Sequence, residues 1–280
     1  MADWFADGVP VEQVAIGDRG FQYGDGLFET IAIRDGEPRL WQYHMDRLER
    51  GCKTLGIVMP TATGLREGVN HALQQSRVLA AYSVVKIVLS AGSGVRGYGR
   101  VPVASPTVLH GVFPASPPPL KSYRDGIDLA LCETRLALGS ATAGLKTMNR
   151  LEQVLARSEF VDTGEFEGLT MDTDGNIICG TMSNVFFVND NSIATPSLQR
   201  CGVEGVMRRH IIACLKKQGI ETRFQTLRLA DLGDCDEVFV SNSQFGVMPV
   251  RSCTNNQWPV GETTRRVMSI LAKNGVIECR

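Results

Sequence analysis

The sequence predicts a mixed α/β (α+β) protein of two domains, and three observations carry that reading. The chain has 280 residues, enough for two compact cores. Segments with a two-residue apolar period are interspersed with segments whose apolar residues recur every three or four positions, so strands and helices are mixed along its length. One linker-like stretch, Pro114-Ala115-Ser116-Pro117-Pro118-Pro119, is stiffened by its prolines. The domains are accordingly drawn as 1–116, a proline-rich linker over 117–123, and 124–280.

Composition narrows the function classes. Of the residues 43% are hydrophobic and 21% charged, with a formal net charge of -1 and both signs interspersed, so no nucleic acid or membrane surface is expected as a partner. No run of about 18 apolar residues is present to span a bilayer. The acidic start Met-Ala-Asp-Trp-Phe-Ala-Asp lacks the basic region and apolar core of a signal peptide, and the cytoplasm is the expected compartment. The 8 cysteines are scattered without a C-x-x-C pair, so neither a metal site nor a disulfide framework is expected, and most should be small buried apolar residues.

In the first half, Gly24-Asp25-Gly26 suits a tight turn feeding a strand over 27–33, followed by a turn at Asp35-Gly36. A helix over 40–55 places Leu40, His44, Leu48, Cys52 and Leu55 on one face. Arg47 sits among them, either to bind a buried anion or to snorkel along the helix flank. A helix over 65–75 and strands over 84–90 and 106–113 complete this half. Gly92-Ser93-Gly94-Val95-Arg96-Gly97 formally matches a dinucleotide-binding motif, but no helix opens inside it: Tyr98-Gly99-Arg100-Val101-Pro102 breaks one. The stretch is read as a loop on which Arg96 and Tyr98 either meet a carboxylate ligand or are simply exposed.

In the second half a strand over 127–133 precedes the segment 141–157, which carries Lys146. Leu151, Val154, Leu155 and Ser158 share a helix face, and Asn149 and Glu152 have capping-box spacing. Lys146 then stands just outside the helix, either as a desolvated, nucleophilic amine or as an ordinary solvated lysine. Strands over 167–172, 176–179, 185–189 and 192–195, joined by tight turns, read as a meander. Gly202-Val203-Glu204-Gly205-Val206-Met207-Arg208 opens a helix to about 217, whose first amides could hold an anion. A strand over 237–241 leads to Ser243, whose hydroxyl could contact the same anion. A helix over 262–273 is stopped by Asn274-Gly275. A reactive lysine, an arginine, a glycine-bearing helix start and a hydroxyl are together what a phosphate-bearing aldehyde cofactor requires.

Five motifs in order carry a resemblance over nearly the whole chain: Tyr23-Gly24-Asp25-Gly26-Leu27-Phe28-Glu29-Thr30, His44-Met45-Asp46-Arg47-Leu48, Leu145-Lys146-x-x-Asn149-Arg150-Leu151-Glu152-Gln153, Ser183-Asn184-Val185-Phe186 and Gly202-Val203-x-Gly205-Val206-Met207-Arg208. They resemble the class IV pyridoxal-phosphate enzymes, and within that class the aminodeoxychorismate lyases more than the branched-chain or D-amino-acid aminotransferases. The resemblance implies two α/β domains with pyridoxal 5'-phosphate in the cleft between them, and a homodimer. It implies a small-molecule substrate, 4-amino-4-deoxychorismate, converted to 4-aminobenzoate and pyruvate for folate synthesis. Lys146 becomes the Schiff-base lysine and proton shuttle, Arg47 a phosphate ligand, Val206 and Met207 phosphate-binding amides, and Ser243 a phosphate hydroxyl. Phe28, Thr30, Arg96, Tyr98 and Arg150 are candidates for substrate contacts. A class IV aminotransferase and a non-catalytic binding protein on the same fold are the alternatives.

The chain departs from the family at one position. Where the resemblance implies a glutamate against the cofactor's pyridine nitrogen, this sequence has Cys179. A thiol supports a protonated ring nitrogen poorly, which handicaps transamination more than an elimination that drains the electrons into a leaving group. Cys179 is therefore expected to favour lyase over aminotransferase chemistry.

Overall fold

A computed structural model describes residues 2–78, 81–100, 105–139 and 141–280. Val101 and Pro102, two of the expected helix breakers, lie outside the described residues. The chain divides into two compact units, one comprising Met1–Ser116 with Leu145–Asn149, the other Pro117–Gly144 with Arg150–Arg280. Leu145–Asn149 thus belong to a different unit from the helix that follows them.

The first unit contains β1 (Asp3–Ala6), β2 (Val9–Pro10), α1 (Arg19–Tyr23), β3 (Gly26–Arg34), β4 (Glu37–Pro38), α2 (Trp41–Leu55), α3 (Ala62–Gln75), β5 (Tyr82–Ser90) and β6 (Thr107–Pro114). Its six-stranded sheet runs β2-β1-β6-β5-β3-β4, and every neighbouring pair is antiparallel. Strand alternation sorts the side chains. Leu27, Ile31, Ile33, Val85, Ile87 and Leu89 are buried in a core shared with Met45, Leu48, Leu65 and Val69 of α2 and α3. Phe28, Thr30, Lys86 and Val88 alternate with them and are half-buried. The turn expected before β3 is instead the single helical turn α1, because the Asp18 side chain accepts a hydrogen bond from Gly20 N and Gly24, at φ 64°, closes the other end.

The second unit contains α4 (Leu120–Arg124), β7 (Ile127–Leu136), α5 (Leu151–Ser158), β8 (Glu167–Asp172), β9 (Ile177–Gly180), β10 (Asn184–Asn189), β11 (Ser192–Thr195), α6 (Val206–Lys217), β12 (Thr222–Phe224), β13 (Glu237–Asn242), β14 (Gly246–Cys253), β15 (Asn256–Gln257) and α7 (Glu262–Lys273). The sheet path is β12-β11-β10-β13-β14-β7-β8-β9, with β15 on β14. The predicted meander is corrected: β8-β9 is a hairpin at one end of the path, and β10 pairs with β11 and β13 instead of β9. The buried Glu167 carboxylate causes the break. It accepts hydrogen bonds from the amides of Gly168, Thr181 and Met182 and from the hydroxyls of Thr181 and Ser183, turning the chain after Gly180.

The capping box predicted at Asn149 and Glu152 is also corrected. Arg150 is the N-cap of α5, Asn149 Nδ2 donates to Gly24 O at 3.0 Å, and Glu152 accepts from Ala137 N at 2.9 Å, so both side chains are spent on longer-range partners. The apolar face of α5 is not core in this chain: Leu151, Val154 and Leu155 are 76%, 60% and 58% exposed.

Candidate functional site

Lys146 belongs to the first unit because its backbone joins the start of β3. Phe28 N donates to Lys146 O at 3.0 Å, Met148 N donates to Gly26 O at 2.9 Å, and Leu145 is buried in the core of α2, α3 and the sheet. Gly24 is needed at the crossing, since a Cβ there would lie 2.5 Å from Asn149 Oδ1 on a backbone at φ +64°. Pinned this way, Lys146 carries its Nζ to 4.3 Å from the Phe28 ring centroid. Lys86 Nζ lies 4.7 Å from the same centroid. Burial pulls the Lys86 amine below the ordinary lysine range, and no carboxylate pairs with it among the described residues. Two amines therefore flank one aromatic ring on the half-buried face of the sheet, with Thr30 directly across the ladder from Lys86.

Beneath that face lies a buried polar triad. Arg47 Nε and Nη2 donate to Glu29 Oε1 and Oε2 at 2.8 and 2.5 Å, and His44 Nδ1 lies 2.6 Å from Glu29 Oε2. Arg47 does not snorkel, being 4% exposed. Burial pushes the Glu29 carboxyl up, but the Arg47 charge and the hydrogen bonds from both partners prevail and hold it at about 2. His44 is fully buried and its pKa is lowered by burial against the pull of Glu29, so a neutral ring donates from Nδ1. Protonation would leave a buried N–H on Nε2, which has no hydrogen-bond partner among the described residues.

Arg96 and Tyr98 stand on the loop between β5 and β6, both exposed, Tyr98 at 88%. Tyr98 packs edge-on against Tyr23, centroids 5.6 Å apart.

The second unit carries the remaining candidates. α6 starts at Val206 with Gly205 as N-cap and no side chain capping it, although Val206 and Met207 are 2% and 0% exposed. A buried helix start without a side-chain cap is where an anion is bound by amides and dipole, so a phosphate fits here. Asn184 shapes the approach: its Oδ1 accepts from Gly205 N at 3.1 Å and its Nδ2 donates to Val203 O at 2.9 Å. A Cβ at position 205 would meet that Oδ1 at 2.0 Å, which is why glycine is required. Ser243 lies on the turn after β13, where Asn242 Oδ1 accepts from the amides of Gln244 and Phe245 and Gln244 Nε2 donates to Ser243 Oγ at 3.2 Å.

Cys179 is 6% exposed on β9, clustered with Leu136, Ile178, Leu198 and Cys201. Thr170 Oγ1 donates to Cys179 O at 2.7 Å and lies 3.6 Å from its Sγ. Burial pushes the thiol up to about 11, with the Thr170 hydroxyl opposing and Glu167 adding to the rise, so at neutral pH Cys179 is a thiol. Glu167 does not stand in for a missing carboxylate, because its oxygens are committed to the turn after Gly180. Arg150 is half-buried, and burial lowers its pKa against the opposing influence of Cys179 and Glu152.

The sequence reading missed Glu29 and Lys86. Each carried a signal: Glu29 has the inward parity of Leu27 and Ile31, opposite His44 and Arg47 on α2, while Lys86 interrupts an apolar strand.

Residues 26–253 match the model of the amino-transferase class IV family, and the chain belongs to that family. Among its relatives, the aminodeoxychorismate lyase of Vibrio harveyi is 36% identical over 272 residues, 96% of this chain and 99% of the relative. The crystal structure of 4-amino-4-deoxychorismate lyase from Pseudomonas aeruginosa superposes with a TM-score of 0.91 at 39% identity, covering 98% of this chain and 99% of that one. A putative branched-chain-amino-acid aminotransferase of Methanocaldococcus jannaschii is 30% identical, over 91% of this chain and 88% of its own length.

Proposed function

We propose that this protein is a pyridoxal-phosphate-dependent lyase that converts 4-amino-4-deoxychorismate to 4-aminobenzoate and pyruvate in the cytoplasm. The observation that carries the reading is the near-full-length likeness to lyases of that name at 36% and 39% identity, above the 30% of the aminotransferase relative.

When bound, pyridoxal phosphate supplies an aldehyde that condenses with amines and a ring that withdraws electrons from the adjacent carbon. The α6 amides of Val206 and Met207, the Ser243 hydroxyl and the Arg47 guanidinium would hold the phosphate. Arg47 enters this role already oriented by Glu29, which takes its Nε and Nη2. Lys146 Nζ holds the cofactor at rest and then moves the proton from the amine-bearing ring carbon of the substrate. Nζ lies 4.3 Å from the Phe28 ring centroid, a contact that favours the ammonium formed when it takes that proton. Phe28 and Thr30 border the substrate. Lys86, Arg96, Tyr98 and Arg150 supply cationic and hydroxyl partners for its two carboxylates. Departure of pyruvate leaves an aromatic ring, so the Cys179 thiol suffices where transamination needs a carboxylate.

The exposed apolar face of α5 supports a homodimer as the working form, to be checked by light scattering during size-exclusion chromatography. The function is tested by incubating the cofactor-loaded protein with 4-amino-4-deoxychorismate and following both products. Equal yields of pyruvate and 4-aminobenzoate, lost in Lys146→Ala, are expected. Amino-acid half-reactions without pyruvate release would place it among the aminotransferases, and a protein that binds cofactor without turnover would be a binding protein.

A further inference from the structure

The loop that presents Arg96 and Tyr98 is held by one buried guanidinium. Arg19, 4% exposed, donates from Nη1 to Gly97 O at 2.9 Å and Gly99 O at 3.2 Å, and from Nη2 to Tyr98 O at 3.0 Å. Its Nε donates to Asp25 Oδ2 at 2.8 Å, and Arg100, at the far end of the loop, donates to the same oxygen at 2.9 Å and to Leu55 O. The phenolic oxygen of Tyr23 accepts from Gly97 N at 3.2 Å, and the Arg19 guanidinium lies 4.9 Å from the Tyr23 ring centroid. Arg19 N donates in turn to Gly92 O at 2.9 Å, tying the start of the loop to α1.

Three successive carbonyls on an irregular loop have no ladder to satisfy them, and only a planar fork with several donors reaches all three from one side. The backbone is fixed while its side chains stay available. Tyr98 is 88% exposed, and no hydrogen bond or ion pair engages the Arg96 guanidinium among the described residues.

We propose that Arg19 is a positioning residue for substrate recognition: by clamping the carbonyls of Gly97, Tyr98 and Gly99 it holds the loop in the conformation from which Arg96 and Tyr98 engage the substrate's carboxylates. The inference rests on the substrate role given above to Arg96 and Tyr98. Ordering one backbone residue on binding costs roughly tenfold in affinity. Releasing one or two residues of the loop therefore raises KM by about 10- to 100-fold while leaving kcat within a few-fold.

The test uses Arg19→Lys, which keeps the charge beside Asp25 but not the fork, and Tyr23→Phe, which removes only the acceptor for Gly97 N. Amide exchange over 96–99 is followed by mass spectrometry in the cofactor-loaded protein, with KM and kcat measured in parallel. Both variants should speed exchange over 96–99 and raise KM, Arg19→Lys more strongly. On an Arg96→Ala, Tyr98→Ala background the Arg19→Lys increment in KM should vanish, because the groups being positioned are gone. Unchanged exchange or KM in Arg19→Lys overturns the proposal, as does an increment that persists on that background. Faster exchange combined with an unchanged KM in Arg96→Ala, Tyr98→Ala overturns the substrate role of the loop itself and leaves Arg19 a structural pin.

Discussion

The most demanding prediction concerns the Glu29–Arg47 pair. Both partners are almost fully buried, at 1% and 5% side-chain exposure, and two charge-assisted hydrogen bonds join them. Removing one partner takes both of these charge-assisted bonds from the other buried charge. Glu29→Met is therefore expected to cost about 3–5 kcal/mol, and Arg47→Met a similar amount, because among the described residues Glu29 then keeps only His44. The double variant replaces the pair by apolar side chains of similar length and should cost far less than the sum. In a chain of this size each kcal/mol moves Tm by roughly 2–4 °C, so each single variant should melt at least about 6 °C lower than the parent and the double should recover most of the loss. The pair also dictates an acid limb. Glu29 has a folded pKa of about 2 against an ordinary 4.5, so its stabilisation is present above the unfolded value and is lost as pH falls from about 5 toward 2. Differential scanning calorimetry of parent, singles and double at pH 7 and pH 4 measures both effects. Single costs below about 1 kcal/mol, or costs that add in the double, would refute the buried-pair argument.

Four further outcomes follow from the geometry. Cys179→Glu should raise aminotransferase turnover with amino acids and keto acids relative to the parent; a parent that already transaminates as fast as the variant sinks the reading of Cys179. Lys86→Met removes the charge-assisted contact proposed for a substrate carboxylate and should raise KM roughly 10- to 150-fold with kcat nearly unchanged, whereas an unaltered KM would exclude the contact. Gly205→Ala drives a Cβ into Asn184 Oδ1, 2.0 Å away, and should weaken pyridoxal phosphate binding at least about tenfold in a fluorescence titration. Burial holds the thiols of Cys52, Cys179 and Cys253 at about 11 and those of Cys132 and Cys201 at about 12, against an ordinary 9. The unfolded chain therefore loses these protons first, and Tm should fall steadily as pH rises from 9 toward 12, a slope that serine replacements of the same cysteines should flatten.

Periodicity alone located most of the frame. The strands at 167–172 and 192–195 and the helix at 262–273 were legible to the residue, since their apolar periods and flanking turns agree with how they are buried. β14 was not legible, because Pro249 within Gly246–Cys253 argues against a strand. It is accommodated opposite Phe239 in a two-sided ladder whose neighbours supply the burial. The same limit applies to α5. Its apolar stripe was legible, yet the sequence could not say that the stripe faces away from the chain's own core.

Lys146 shows what kind of information the sequence withholds. Its neighbours in the chain suggested a lysine placed by the helix that follows, with Asn149 capping that helix. The structure gives the placement to other atoms: Phe28 N binds Lys146 O, Met148 N binds Gly26 O, and Asn149 reaches Gly24 O. All three partners lie more than a hundred residues earlier, in the segment whose glycines first read as ordinary turn chemistry. Glycine at position 24 is thus tied to asparagine at 149 by a clash that a Cβ would create, and phenylalanine at 28 is tied to lysine at 146 by a backbone bond and a ring contact. Each motif is weakly informative where it stands and strongly informative as a pair, so the placement of Lys146 is specified by the Gly24–Phe28 segment as much as by the residues around it.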